Sequence, residues 1–336
     1  MRSVRPLFAP IAAFLLLVFA VPAGAGGQHA THSNSIRGSD DEDASWMMSG
    51  TWSGARDDEH PDRLFLMVEC RSRDGSHSNW GRTETGQVEG LDPRSLPASR
   101  TPVDFRVKHD AGTIHLHGDW SGAQGGGTFE LELDPRFADE LERRGVGRPT
   151  EAQQAQLLLC DAHLALLDAL KSERYATPRA SMFVRMSNHG VREETVTAFA
   201  KAGYRLESLD ALVTAVDHGV NPQFIAEMAE AGYKDIDFET LLRARDHGAD
   251  AGYVEDLADA GFQRLPLETV IRARDHGVDG MYVQSLRRVG FEKVTLEDAI
   301  RARDHGVTSG YAKRMRAKQP DASLDEVIAW RDRGVR

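Results

Sequence analysis

The chain has 336 residues, a formal net charge of −11, 40% hydrophobic residues and 28% charged residues. That length admits two or three domains, and the composition is that of a globular protein rather than a disordered or fibrous one. The acidic balance disfavours a nucleic-acid partner, because phosphate binding needs a concentrated basic surface.

The N-terminus reads as an export signal. Arg2 and Arg5 precede the apolar run "LFAPIAAFLLLVFAV", and Ala23–Ala25 fit the small-x-small cleavage rule. Cleavage is expected after residue 25, which takes the charge from −11 to −13. The alternative, a retained anchor, requires a run that is short for a bilayer span and contains Pro10. No later stretch is apolar enough to span, so the mature chain is expected in the periplasm or secreted, and not membrane-spanning. Residues 26–45 are polar, rich in Gly and Ser, and acidic at their end. They bury too little apolar surface to offset ordering entropy and read as a disordered tether, in which His29 and His32 are solvated.

From 46 to 134 the hydrophobic period is two. Leu64, Leu66, Val68 and Cys70 alternate with other residues, as do Val103, Phe105 and Val107, then Ile114 and Leu116, then Phe129, Leu131 and Leu133. This predicts half-buried antiparallel strands, five or six in a meander. Asp74–Gly75 and Asp110–Gly112 are hairpin-turn signals, "LDPRSLPASRTP" is an excursion, and Ser121–Gly127 reads as a longer, mobile loop. Cys70 and Cys160 are the only cysteines after the signal. They could pair in an oxidising compartment, but separate buried thiols are the favoured reading.

Helical character begins at Pro135. Residues 135–176 read as a degenerate leading repeat, with Phe137, Leu141, Gly145 and Thr150 on its marks, joined to one long helix over "TEAQQAQLLLCDAHLALLDALKSE". An inserted turn or helix is expected there before the regular repeats of 177–336. In those repeats "HG" begins at His189, His218, His247, His276 and His305, always 29 residues apart. Gly203, Gly232, Gly261 and Gly290, each before an aromatic residue, keep the same step. A fixed period of this size marks a stacked architecture. The expected fold is therefore α+β: an N-terminal antiparallel β-meander unit followed by an α-solenoid of 29-residue helical hairpins.

Within a unit, helix A carries stripes such as Tyr282, Val283 and Leu286, and Gly232, Gly261 or Gly290 ends it in the left-handed conformation. Helix B begins at Ser208, Asp237, Pro266, Thr295 or Ser323, with an acid two residues on that complements the helix dipole. Arg245, Arg274 and Arg303 are expected on its apolar face, half-buried. Asp217, Asp246, Asp275, Asp304 and Asp332 oppose the dipole, so each is expected to cap the following helix or to pair with an Arg of an adjacent unit. His218, His247, His276 and His305 read as C-terminal cations. Repeats about 10 Å apart cannot share one zinc ion between them.

The chain has no HExxH, GxSxG, P-loop, helix-opening GxGxxG or paired CxxC. His115, His117 and Asp119 share one strand face, and with His109 they form only a weak metal candidate. No catalytic residue, metal or cofactor is expected.

The unit GV-x-x-x-[YF]-[VI]-x-x-[LM]-x-x-x-G-[YF], running on into "HGV", resembles repeats of poorly characterised exported bacterial proteins. Similar repeats form the C-terminal extracytoplasmic extensions of membrane zinc metallopeptidases of the β-lactam-sensor, antirepressor type. The strand segment "GTIHLHGDWSGAQGGGTFELELDPRFADELERRGV" is similar to the glycine-rich unit that precedes such repeats. The resemblance covers roughly residues 50–336, and the peptidase module is missing. It implies a stand-alone envelope protein made of the sensor-like part. The expected function is a non-catalytic binding or scaffold protein whose helical surface engages a protein or peptide. The alternative is a sensory module that binds a small ligand near Trp52, Trp80 and Trp120.

Overall fold

The computed structural model describes residues 47–57, 60–71, 77–85, 88–234 and 236–336. The expected export signal, the tether and the Asp74–Gly75 turn lie outside them.

Seven strands form one antiparallel sheet: β1 (Ser49–Arg56), β2 (Arg63–Arg71), β3 (His77–Thr85), β4 (Val88–Glu89), β5 (Thr101–His109), β6 (Gly112–Ser121) and β7 (Gln124–Leu133). Their order is β3-β2-β1-β7-β6-β5-β4. Two meanders thus meet in the middle, where β1 pairs with β7. The excursion after β4, with a 3-10 turn at Pro93–Ser95, packs back against β2. The alternation holds: Leu64, Leu66, Val68, Cys70, Phe105, Val107, Ile114, Leu116, Phe129 and Leu131 are all buried. Side chains of β2, β3, β5 and β6 line one void of about 10 Å³ together with Leu159, so the sheet curls strongly around its inner face. Cys70 and Cys160 are free thiols. Burial pushes the Cys70 thiol up to about 12, which keeps it protonated and inert.

The expected loop at Ser121–Gly127 is instead a two-residue turn followed by strand. Residues from Gln124 onward belong to β7. The glycines are there for room. Trp120 pairs with Gly125, which pairs in turn with Gly54. A Cβ on Gly125 would lie 2.2 Å from the Trp120 ring. One on Gly127 would lie 1.9 Å from the His117 carbonyl oxygen. In the space these glycines leave, Trp120 stacks on Trp52 at 6.2 Å, and Trp52 meets Phe105 edge-on at 5.2 Å. Both indole N–H groups donate to backbone carbonyls, Trp52 to His117 and Trp120 to Gly122. Trp52 and Trp120 are core, and Trp80 is half-buried against it.

Fourteen helices follow among the described residues. The first of each hairpin are α1 (Pro135–Arg143), α3 (Leu164–Ser172), α5 (Glu193–Lys201), α7 (Pro222–Glu230), α9 (Ala251–Asp259), α11 (Gly280–Arg288) and α13 (Ser309–Lys318). The second are α2 (Glu151–Leu159), α4 (Ala180–Asn188), α6 (Leu209–Asp217), α8 (Phe238–Asp246), α10 (Leu267–Asp275), α12 (Leu296–Asp304) and α14 (Leu324–Asp332). Starts recur every 29 residues from α1 to α13 and from α2 to α12, with one step of 28 to α14. The odd-numbered helices pack side by side from α3 to α13, and the even-numbered ones make the second layer.

This corrects two expectations. There is no insertion before His189, and the long helix is two, α2 and α3. The grid was hidden because two left-handed caps are not glycine. Asp161 (φ 55°) stands where later units have the Gly of "HG", and Arg174 (φ 61°) stands where they have Gly203 and its successors.

Asp161 also ties the solenoid to the sheet. Its carboxylate lies 2.5 Å from the fully buried His109 imidazole on β5 and 3.3 Å from His163 Nε2. His163 Nδ1 in turn lies 3.4 Å from Glu193. Nearby, the buried Gln154 amide donates to the Ala111 and Asp134 carbonyls, and Asp110 accepts the Leu164 N–H.

Two outcomes test this picture. Gly125→Ala is expected to cost about 1–3 kcal/mol through overpacking against Trp120, read as a lowered melting temperature. The hydrogen bond to Asp161 holds the His163 imidazolium up to about 9. Its folded value lies above the ordinary one of about 6.5. Its contribution is therefore complete below that ordinary value and lost as pH rises through about 9. An NMR titration should place the His163 midpoint near 9, and Asp161→Asn, which keeps a residue tolerant of the left-handed backbone, should bring it back toward about 6.5.

Candidate interaction surfaces of the solenoid

The repeated phrase R-A-R-D-H-G lies at the C-terminal end of α8, α10 and α12, and the structure gives every letter a partner. Ala244, Ala273 and Ala302 are fully buried and are the true core position. Arg245 and Arg303 are half-buried, but Arg274 is exposed. Their guanidiniums rest over the aromatic ring that begins the stripe of their own hairpin: Arg245 over Phe224 at 5.1 Å, Arg274 over Tyr253 at 4.9 Å and Arg303 over Tyr282 at 4.5 Å. Arg331 repeats the contact on Tyr311. Arg303 Nε also donates to the Gly277 carbonyl of the preceding unit. These arginines therefore ride the rim of the core by cation–π contact instead of entering it.

The expected partner of the aspartates is likewise corrected. Each lies against the histidine one unit earlier, through Nδ1: His189 with Asp217 and His218 with Asp246, both at 2.6 Å, His247 with Asp275 at 2.5 Å, His276 with Asp304 at 2.6 Å, and His305 with Asp332 at 2.8 Å. The following helices are capped by their own residues, Asn221, Asp250, Asp279 and Thr308. It is the other arginine of the phrase that crosses to an acid. Arg243, Arg272 and Arg301 pair with Glu268, Glu297 and Asp325 in the first turn of the next even-numbered helix, as Arg185 does with Asp210. Gly232, Gly261 and Gly290 have φ of 100°, 90° and 101° and cap helix A as expected. This face thus carries two ladders of charge, each rung bonded to the next unit.

The expected strand cluster does not assemble. His115 pairs with Glu132, His117 with Asp104 and Asp119 with Arg100, while His109 faces Asp161. Among the described residues no three His, Cys, Asp or Glu side chains are arranged to hold a metal.

The outer face of the odd-numbered layer is different. α7 and α9 carry five acids and no base: Glu227, Glu230, Glu255, Asp256 and Asp259. α11 and α13 carry six bases and no acid: Arg287, Arg288, Lys313, Arg314, Arg316 and Lys318. Three of these are used internally. Asp256 accepts the Gly280 N–H, and Arg287 and Arg316 stack on Phe262 and Phe291 while donating to carbonyls of the preceding unit. Of the rest, Glu230, Glu255, Asp259, Arg288 and Lys313 are exposed, with no hydrogen bond or ion pair to another described residue. Met281, 72% exposed, lies among them. Reading the repeats for sameness missed this step in charge. Comparing net charge helix by helix on the same grid would have found it.

Neither a protein-family model, nor a curated protein, nor a solved structure matches the chain.

The ladder predicts a small, screened coupling. In a double-mutant cycle of His247→Ala and Asp275→Ala, the pair is expected to contribute about 0.2–1 kcal/mol at low salt and less at high salt, because both partners are close to half exposed.

Proposed function

We propose that the protein is a non-catalytic binding or scaffold protein of the cell envelope that engages a protein partner through the outer face of its odd-numbered helices. One observation carries the reading. The ladder residues His247, Asp275, Arg272 and Glu297, like their counterparts in other units, are paired within the chain, whereas α7, α9, α11 and α13 hold charges of both signs that find no partner among the described residues. Side chains released from internal bonding, on rigid helices at regular spacing, are what an extended recognition surface requires. The resemblance of the repeat to those of exported proteins and extracytoplasmic sensor extensions supports an envelope location. A ligand module in the sheet is less well supported, because Trp52 and Trp120 fill the core and the void beside Trp80, about 10 Å³, holds no more than a water.

The test is capture of partners from envelope extract by the full chain, by Glu227→Lys/Asp259→Lys, and by Asp275→Ala. Loss of the captured proteins with the first variant and their retention with the second is expected. Equal capture by all three defeats the reading.

A further inference from the structure

Resting on that reading, the geometry points to a partner for this face: a second copy of the same chain, docked about a two-fold axis that lies in the interface, parallel to the helices, between α9 and α11.

The argument begins with the step in charge. Acids occupy two adjacent helices and bases the next two, so the face is complementary to itself turned around. An isologous contact needs this property, because the same patch serves both chains. The orientation of the axis follows. An axis along the row of helices would lay α9 on α9 and α13 on α13, setting like charges together. An axis parallel to the helices lays α9 on the partner's α11 and α7 on the partner's α13.

That operation also preserves height along the helix, and there the side chains match individually. The four helices start on one 29-residue grid, so equal positions lie at equal height. Asp259 is the ninth residue of α9 and Arg288 the ninth of α11. Glu227 and Arg314 are the sixth residues of α7 and α13. Glu230 and Lys318 end the same two helices one residue apart. At the second position the exposed Met281 meets Gly252, and Gln223 meets Gly310. A protruding thioether thus faces a surface with no side chain, twice in the dimer. The charges and the shape agree on one arrangement; within the chain Gln223 donates to Glu227, Arg314 rests over Tyr311 and Lys318 donates to the Arg336 carbonyl, all from exposed positions.

The size of the face sets the strength. Four helices spaced about 10 Å apart and each about 14 Å long present a patch at or below the low end of specific interfaces. The dimer is therefore expected to form at micromolar concentrations and to be sensitive to salt.

Sedimentation equilibrium on the full chain tests this by charge exchange. The wild type should be a monomer–dimer mixture at about 0.1 M salt and shift at least tenfold toward monomer at about 1 M, as the screening length falls from about 10 Å to about 3 Å. Glu227→Lys/Asp259→Lys reverses the two acids matched to Arg314 and Arg288, and Arg288→Glu/Arg314→Glu reverses those two bases. Each variant alone should remain monomeric with an unchanged melting temperature, and an equimolar mixture should dimerise at least as well as the wild type. A wild type that stays monomeric, variants that self-associate undiminished, a mixture that does not recover association, or species that grow past a dimer each overturn the proposal. If the wild type is monomeric while Glu227→Lys/Asp259→Lys still loses its captured proteins, the second copy is excluded and the binding surface stands. If that variant captures as the wild type does, the surface itself is wrong.

Discussion

The structure depends on the fact that a nine-residue helix cannot stand alone in water. Every helix here but α13 has nine residues, and α13 has ten. None reaches the length at which hydrogen bonding repays nucleation, so each exists because neighbours cover its apolar stripe. The phrase R-A-R-D-H-G follows from that constraint. Its alanine leaves room for close packing, its glycine ends the helix, its second arginine covers an aromatic ring of its own hairpin, and its first arginine, aspartate and histidine reach the hairpin before or after. Stability is then a sum over neighbouring contacts, and the rungs act at the joints, where a stack of hairpins would otherwise slide or splay.

A stack of this kind needs something to lean on at its first unit, and the curled sheet supplies it. α2 packs against β6 and β7, and Leu159 closes the void that the sheet's curl leaves. The chemistry of this joint differs from that of the joints between repeats. Asp161 takes a glycine's place in the cap, and its carboxylate holds both His109 from the sheet and His163, the N-cap residue of α3. A residue unfavourable for the local backbone is kept where it makes a contact that glycine cannot make.

The sequence showed the strands, the hairpins and the period of 29, because burial on one face imposes a rhythm on residue type. It hid the first two joints, since the punctuation it offered was glycine and the chain uses Asp161 and Arg174 there. It misplaced the glycine-rich stretch before Phe129, since glycine is equally a mark of loops and of room for a tryptophan, and only the pairing of Gly125 with Trp120 decides between them. It identified the ladder residues but not their partners. His247 and Asp275 are 28 residues apart, and adjacency across units is a property of the stack, invisible in any one unit.

Positions that build a repeat are constrained to be alike, so differences between units carry information that the fold does not demand. On the outer face of α7, α9, α11 and α13, Glu230, Glu255, Asp259, Arg288 and Lys313 make no hydrogen bond or ion pair with another described residue that would dictate their charge. The stack would form as well with those charges mixed. Random variation at such positions intersperses the two signs, yet here, with the internally bonded Asp256, Arg287 and Arg316 set aside, four acids fall on one pair of helices and four bases on the next. Separation of this kind leaves like charges side by side, which slightly opposes folding. A surface that keeps them so is organised by something outside its own core, and at equal heights along equal helices the arrangement that neutralises it is its own image.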